Sequence, residues 1–319
     1  MRRATYLFAV MATAFLTACG GSDGDDLPAT TTAAATTIDK VAQDRGFTAL
    51  LAAATKAELG STLSDTNAQL TVLAPTDAAF NNLATTLGFA NANAMVSALP
   101  AAALKNILTY HVLPGNKPAS QLTAAAQSSQ PTLYSFEGQP APVTVSTAGG
   151  VRVGDAVLTN ANVVATDVAA SNGVIHAIDK VLVPPGVLNI VQMAQLNPEL
   201  SSLVSTVTRA NLQGTLTGAG PFTVFAPTNA AFAAAPSGLT TQQLSTVLTY
   251  HVLGSQVLAS QIPFGTPVAT AAGQTITFNA GTPPTITDTT SAPARITATN
   301  VRASNGVIHL VDKVLIPRL

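Results

Sequence analysis

The chain has little charge. Of its 319 residues, 14 are Lys or Arg and 15 are Asp or Glu, so 9% are charged, against roughly a quarter in an average globular protein. The formal net charge is −1 and no run of Lys or Arg occurs. Nucleic acid is thereby excluded as a partner, because phosphate binding relies on clustered cations that release counterions. An acidic lipid surface is disfavoured on the same ground. Apolar residues make up 47% of the chain, yet beyond the N-terminus there is no apolar run of the roughly 20 residues that a spanning helix needs. Much of that apolar content is Ala, and Thr, Ser, Asn and Gln take over the solvation that charge usually provides. The single cysteine, Cys19, excludes an internal disulfide. The length allows two ordinary domains, each able to bury a core without covalent staples.

At the N-terminus, Met1-Arg2-Arg3 precedes the uncharged run Ala4 to Ala18. A basic start, a short apolar stretch and small residues make the layout of a secretory signal. The run ends Leu16-Thr17-Ala18-Cys19-Gly20, which resembles the lipobox of bacterial lipoproteins, where the cysteine is acylated and the chain is cut just before it. A plain cleavable signal with an incidental Cys19 is the alternative. The resemblance implies a signal peptide over 1–18, lipidation at Cys19 and an exported protein held in the cell envelope by its acyl chains alone, without a spanning helix. Gly20 after the cysteine is compatible with outer-membrane sorting, with either a periplasmic or an outward face. Residues 19–36 are, after Cys19, mostly Gly, Ser, Asp, Thr and Ala with almost nothing to bury, and read as a flexible stalk.

The rest of the chain is one unit written twice. Leu70 to Phe80 (LTVLAPTDAAF) returns 152 residues later as Phe222 to Phe232 (FTVFAPTNAAF). Leu108 to Leu113 (LTYHVL) returns unchanged at Leu248 to Leu253, and Ala170 to His176 (ASNGVIH) returns unchanged at Ala303 to His309. The order is kept while the spacing shrinks between motifs, where loops belong, so the repeats are whole domains, 37–184 and 187–319. Pro184-Pro185-Gly186 is a short, stiff junction that limits their orientations.

Within the first unit, Ile38, Val41, Phe47, Leu50 and Leu51 recur at helical spacing behind Thr37, with Gly46 dividing two short helices. Leu70 to Ala74 is a strand stopped by Pro75, and Thr76 or Asp77 caps a helix carrying Phe80, Leu83 and Leu87. Pro100 opens a helix whose Leu104, Ile107, Leu108 and His111 share a face. From Thr132 onward the pattern is extended through Val143–Val145, Val151–Val153, Val157–Val168 and Val174–Val183. Helices first and strands second make an α+β domain.

In the order TVLAPTDAAF, ILTYHVL and SNGVIHAIDKVLVP, and again TVFAPTNAAF, VLTYHVL and SNGVIHLVDKVLIP, these motifs closely resemble the fasciclin domain. The resemblance implies two tandem domains, each a compact wedge of twisted β-sheets with short helices in its N-terminal part, and a non-catalytic role in adhesion or matrix association. It also attaches a partner-binding role to the Tyr-His pairs Tyr110-His111 and Tyr250-His251, a pattern tied to adhesion in animal members. The same residues suit a buried position, since His111 shares an apolar face with Leu104 and Leu108.

Asn172-Gly173 and Asn305-Gly306 are the preferred dipeptide of a two-residue hairpin turn. In the strand that follows, both faces are apolar, so it should be central and covered on both sides, with His176 and His309 buried, neutral and hydrogen-bonded. Asp179 and Asp312 then need a backbone amide or a cation. Asp77 becomes Asn229 and Asp167 becomes Asn300, which puts any contact requiring those carboxylates in doubt for the second unit.

Each unit has two histidines about 60 residues apart and no Cys, too few convergent ligands for a zinc or copper site. No metal or other cofactor is expected. There is no G-x-S-x-G elbow, P-loop or G-x-G-x-x-G after a strand, and His176 and Asp179 point to opposite faces of a strand. No catalytic residue is assigned. The leading reading is a lipid-anchored protein that binds a cell-surface, matrix or polysaccharide partner through neutral polar surfaces. The alternative is a small-ligand (lipid or glycan) or envelope-scaffolding module, favoured by a ligand-sized apolar pocket between helices and sheet.

Overall fold

The computed structural model describes residues 36–235 and 238–319. The signal segment 1–18, Cys19 and all of the stalk but Thr36 lie outside them. The first repeat opens with α1 (Ile38–Asp44) and α2 (Thr48–Lys56), parted at Gly46, whose φ of 76° ends the first helix. Then come α3 (Gly60–Ser64), β1 (Leu70–Pro75), α4 (Asp77–Thr86), α5 (Ala92–Ala98), α6 (Ala101–Tyr110), β2 (Val112–Pro114) and α7 (Ala119–Leu122). Five strands complete it: β3 (Gln127–Phe136), β4 (Gln139–Ser146), β5 (Arg152–Gly154), β6 (Asn160–Ala170) and β7 (Gly173–Ile178). The second repeat follows the same plan with fewer helices. These are α8 (Ile190–Leu196), α9 (Ser201–Arg209), α10 (Gln213–Leu216), β8 (Phe222–Pro227), α11 (Asn229–Ala233) and α12 (Thr241–Tyr250). Its remaining strands are β9 (Val252–Leu253), β10 (Pro267–Ala269), β11 (Thr275–Asn279), β12 (Thr285–Thr287), β13 (Ala294–Ala303) and β14 (Gly306–Val311).

Each repeat folds its strands into one seven-stranded sheet, ordered β2-β1-β7-β6-β5-β4-β3 in the first and β9-β8-β14-β13-β12-β11-β10 in the second. The motif strands β1 and β7 pair in parallel, from Leu70 opposite Gly173 to Pro75 opposite Ile178, and β8 pairs with β14 in the same way. The outer strands β2 and β3 lie against each other, so the sheet curls into a nearly closed barrel. Every residue of β7 and β14 is buried, because these central strands are covered on both faces. The period-2 alternation divides them between two cores. Val72, Ala74, Ile175 and Ala177 face the helices, whereas Leu73 and Ile178 face the barrel interior with Tyr110, Val143 and Val153. In the second repeat Val224, Ala226, Ile308 and Leu310 face the helices and Phe225, Phe278 and Val311 the barrel.

Three local expectations are corrected. Ala170 pairs with Gly173, so the hairpin turn is Ser171-Asn172 and Gly173 is the first residue of the strand. The glycine is required there by close approach: φ is 151°, and a Cβ would stand 1.9 Å from the Leu70 carbonyl oxygen. Gly306 repeats this against the Phe222 carbonyl oxygen at 2.1 Å. Second, the extended run from Val157 starts with a turn at Asp155–Thr159, where Leu158 has a φ of 63°. Third, β7 stops at Ile178, and Val181 to Val183 are buried without a strand partner. The amides of Leu182 and Val183 are taken up by side chains instead.

The repeats meet at a continuous apolar contact, in which Val157 and Val183 of the first join the helical core of the second. The Asn197 side-chain amide donates to the Val157 carbonyl at 3.1 Å, and the Gly186 amide donates to the Arg302 carbonyl at 3.0 Å.

Candidate functional site

The four Tyr-His side chains lie in the cores, with 0–1% exposure. Tyr110 and Tyr250 close α6 and α12 and project into the barrels, where their hydroxyls donate to the carbonyls of Pro142 (2.9 Å) and Thr275 (2.8 Å). Burial pushes both phenols up, with Asp155 and Asp288 respectively adding to the effect. His111 donates from Nδ1 to the Ile107 carbonyl at 2.7 Å and accepts at Nε2 from the Leu182 amide at 2.8 Å. His251 does the same with Val247 and Leu315, at 2.7 and 2.8 Å. Each imidazole is therefore a neutral, fixed tautomer that carries one amide of the unpaired segment after the last strand. Burial lowers both from the ordinary 6.5 to about 4. A partner contact through these side chains does not fit their burial, and the folded chain presents other residues outward.

The second histidine pair is placed as the alternation suggests. His176 accepts at Nδ1 from the Asp167 amide (3.2 Å) and donates at Nε2 to the Lys117 carbonyl (3.0 Å). His309 repeats this with Asn300 (3.4 Å) and Val257 (2.9 Å). Asp179 and Asp312 accept from the backbone amides of Asn162 and Arg295, both at 2.7 Å, tying the end of the last strand to its neighbour.

Asn172 does more than turn the chain. Its buried side chain accepts from the Ile38 amide at 2.9 Å, capping α1, and donates to the carbonyls of Leu63 and Asp65, both at 2.9 Å. Asn305 makes the same three bonds to Ile190, Leu216 and Gly218. Thr37, the residue expected to cap α1, bonds to Asp39 instead. Asp77 leaves the capping of its own helix to Thr76 and accepts from the Ala49 amide of α2 at 2.9 Å. Asn229 accepts from Ser202 at 2.9 Å, and Asn300 accepts from Ala259 at 2.9 Å where Asp167 accepts from Ala119 at 2.8 Å. The shared contact at these positions uses an acceptor oxygen, so the exchange of Asp for Asn keeps it, and Asn229 adds a bond of its own by donating its amide to the Pro198 carbonyl at 2.8 Å.

Sequence reasoning missed Asp155 and Asp288. Both carboxylates have no exposed side-chain surface and pair with Lys180 (2.6 Å) and Lys313 (2.7 Å). They also accept the amides of Val183 (3.1 Å) and Ile316 (2.8 Å), next in line after those held by the histidines. The lysine of the D-K-V-L motif was the available signal, since a lysine beside a buried strand needs a counter-charge. Among the described residues, no three His, Cys, Asp or Glu side chains gather as a metal site.

A groove of about 390 Å³ runs along the junction of the repeats. Its first wall is the hairpin Phe136-Glu137-Gly138-Gln139, a two-residue turn with φ of 52° and 80° at Glu137 and Gly138. Pro140 and the half-exposed Leu158 extend this wall, and Asn300 and Arg302 of β13 form the other. The Arg302 guanidinium sits 5.2 Å from the Phe136 ring centroid and forms a two-pronged ion pair with Glu137. Gly186 makes room for that ring, since a Cβ there would be 2.3 Å from it. A partly buried aromatic ring, an aliphatic side chain, a carboxylate and amides thus meet in one concave place, the composition of a binding groove.

The fasciclin domain family model matches the chain twice, over residues 45–184 and 198–317. The chain belongs to the fasciclin domain family. Fasciclin relatives include protein sll1483 of Synechocystis, 39% identical over 138 residues, covering 41% of this chain and 74% of that protein. The cell surface glycolipoprotein MPB83 of Mycobacterium bovis is 35% identical over 135 residues, covering 39% of this chain and 58% of that protein. Among solved structures, a FAS1 domain pair from the insect cell adhesion molecule fasciclin I aligns with 87% of this chain and 95% of that one, at 18% identity and a TM-score of 0.41. Fasciclin domains are in general non-enzymatic modules of adhesion or surface binding. The Tyr-His, Asn-Gly and D-K-V-L motifs of this tandem are, by their contacts, the framework of the fasciclin fold.

Proposed function

We propose that this fasciclin tandem is a non-catalytic binding protein of the cell envelope, tethered by acyl groups on Cys19, which holds a cell-surface, matrix or polysaccharide partner in the groove between its repeats. The observation that carries the reading is the division of labour among its residues. All four histidines and both buried aspartates are committed to backbone amides and carbonyls, which leaves them no chemistry to perform. The junction groove, by contrast, presents Glu137, Gln139 and Asn300 to solvent beside Phe136 and Leu158. The low charge of the chain as a whole, 9% of its residues, favours short-range contacts that salt screens little. Among the described residues no helix is long and apolar enough to cross a membrane.

Two measurements test this. Mass spectrometry of the mature N-terminus should find acylated Cys19, and Cys19→Ala should release the protein from membranes; an unmodified Cys19 overturns the tether. A photo-crosslinking residue at Gln139 on intact cells should capture a partner, whereas one at the exposed Lys105, outside the groove lining, should not. Equal capture from both positions overturns the groove assignment.

A further inference from the structure

Both repeats carry an apolar recess at the same place, between the helices and the buried parallel strand pair. The lining follows the repeat register: Leu50, Val72 and Leu108 in the first are answered by Leu203, Val224 and Leu248 in the second. The recesses differ in how they are filled. In the first, Leu133 of β3 stands among the lining residues and about 30 Å³ is left open. In the second, the corresponding place is taken by Ala271, and the cavity grows to about 80 Å³ and runs on along α8 and α9 past Ile190 and Val204. Close-packed interiors rarely leave such space, and an apolar cavity stays dry and accepts hydrocarbon.

We propose that the recess of the second repeat binds the hydrocarbon tail of a single-chain amphiphile of the fatty-acid class. The shape selects a tail: the first repeat shows that an aliphatic side chain fits the mouth, and the larger space in the second, about 80 Å³ against about 30 Å³, admits the terminal few methylenes of an unbranched chain whose remainder lies at the open mouth. The chemistry selects hydrocarbon, because no charged side chain lines the cavity. Of the polar residues that line it, Thr249 donates its hydroxyl to the Ser245 carbonyl at 2.8 Å, both His251 nitrogens are engaged by the backbone, and Thr215 is exposed at the rim. The head group therefore stays at the rim in water, with no charged side chain to pair with. The site lies in the body of the second repeat and stands independently of the junction groove.

The test is dodecanoate binding to the intact protein by calorimetry, below the concentration at which the fatty acid aggregates. One saturable site per chain is expected. Ala271→Leu, which restores at an exposed position the side chain that occupies the first recess, should weaken binding at least about tenfold, as expected from losing a few buried methylenes. Leu133→Ala should open the first recess and raise the stoichiometry toward two. Val204→Phe, at a partly exposed lining position, is a second plug should Ala271→Leu perturb the circular dichroism spectrum. Absence of saturable binding, or binding that both plugs leave unchanged in folded protein, overturns the proposal. So does a concentration-dependent dimer that Ala271→Leu abolishes while dodecanoate does not compete, since the occupant would then be a second copy.

Discussion

Mild acid should destabilise each repeat through one histidine. His111 and His251 ionise at about 4 in the fold against an ordinary 6.5, chiefly through burial. The unfolded imidazole takes up a proton that the folded one refuses over that interval, so unfolding binds protons there and stability falls as pH falls. At about 1.4 kcal/mol per pH unit for each group, the whole interval amounts to about 3 kcal/mol per repeat, a large share of the 5–15 kcal/mol that holds an ordinary domain together. Above pH 6.5 the contribution is fully present, and at about pH 4 it is spent. His309, lowered by burial, adds to the loss. Asp288 acts in a lower range: burial pushes its carboxyl up, but hydrogen bonds from Lys313, Thr290 and Ile316 outweigh this and hold it below 3.8. Its contribution is therefore lost only under stronger acid, and pH 5–6.5 isolates the histidines. Urea denaturation followed by far-ultraviolet circular dichroism in half-unit steps from about pH 7 to about pH 4.5 reads the slope. A stability constant to within about 0.5 kcal/mol across this range, or a folded-state imidazole titration near 6.5 by NMR for His111 and His251, would refute the reasoning.

Asn172→Ala should cost about 2–4 kcal/mol by thermal melting, because it strips one buried amide and two carbonyls of their partner, and Asn305→Ala should cost the second repeat a similar amount. Gly173→Ala should be worse, at more than about 3 kcal/mol, since its Cβ meets the Leu70 carbonyl oxygen at 1.9 Å; near-native stability would show that β1 and β7 can part without cost. Asp77→Asn should change stability by less than about 1 kcal/mol, as Asn229 already fills the equivalent role at 2.9 Å from the Ser202 amide. Removing the acceptor with Asp77→Ala should cost about 1 kcal/mol or more.

The α+β order, the repeat and the central buried strand were legible because apolar period and turn residues act locally. Gly46, Pro75, Thr76 and Pro100 each end or start an element through their own backbone constraints. What sequence reasoning left open or missed is non-local. Asn172 caps a helix 134 residues away, and Asp155 binds Lys180 across a turn that reads as strand; neither leaves a periodic trace. The Tyr-His pair illustrates the same limit. Its helical spacing suited a buried face, but only the fold shows that the imidazole replaces a missing strand partner for Leu182. The junction groove was invisible, since its walls come from a hairpin in one repeat and a strand in the other.

The claim that partner contact resides in the groove while the Tyr-His pairs hold the fold is tested most directly by attachment of cells displaying the protein. Glu137→Ala with Gln139→Ala should lower attachment severalfold with an unchanged circular dichroism spectrum, and Tyr110→Phe with Tyr250→Phe should leave attachment intact. Loss of attachment in the folded Tyr→Phe variant, with the groove variant attaching as the parent does, would contradict it.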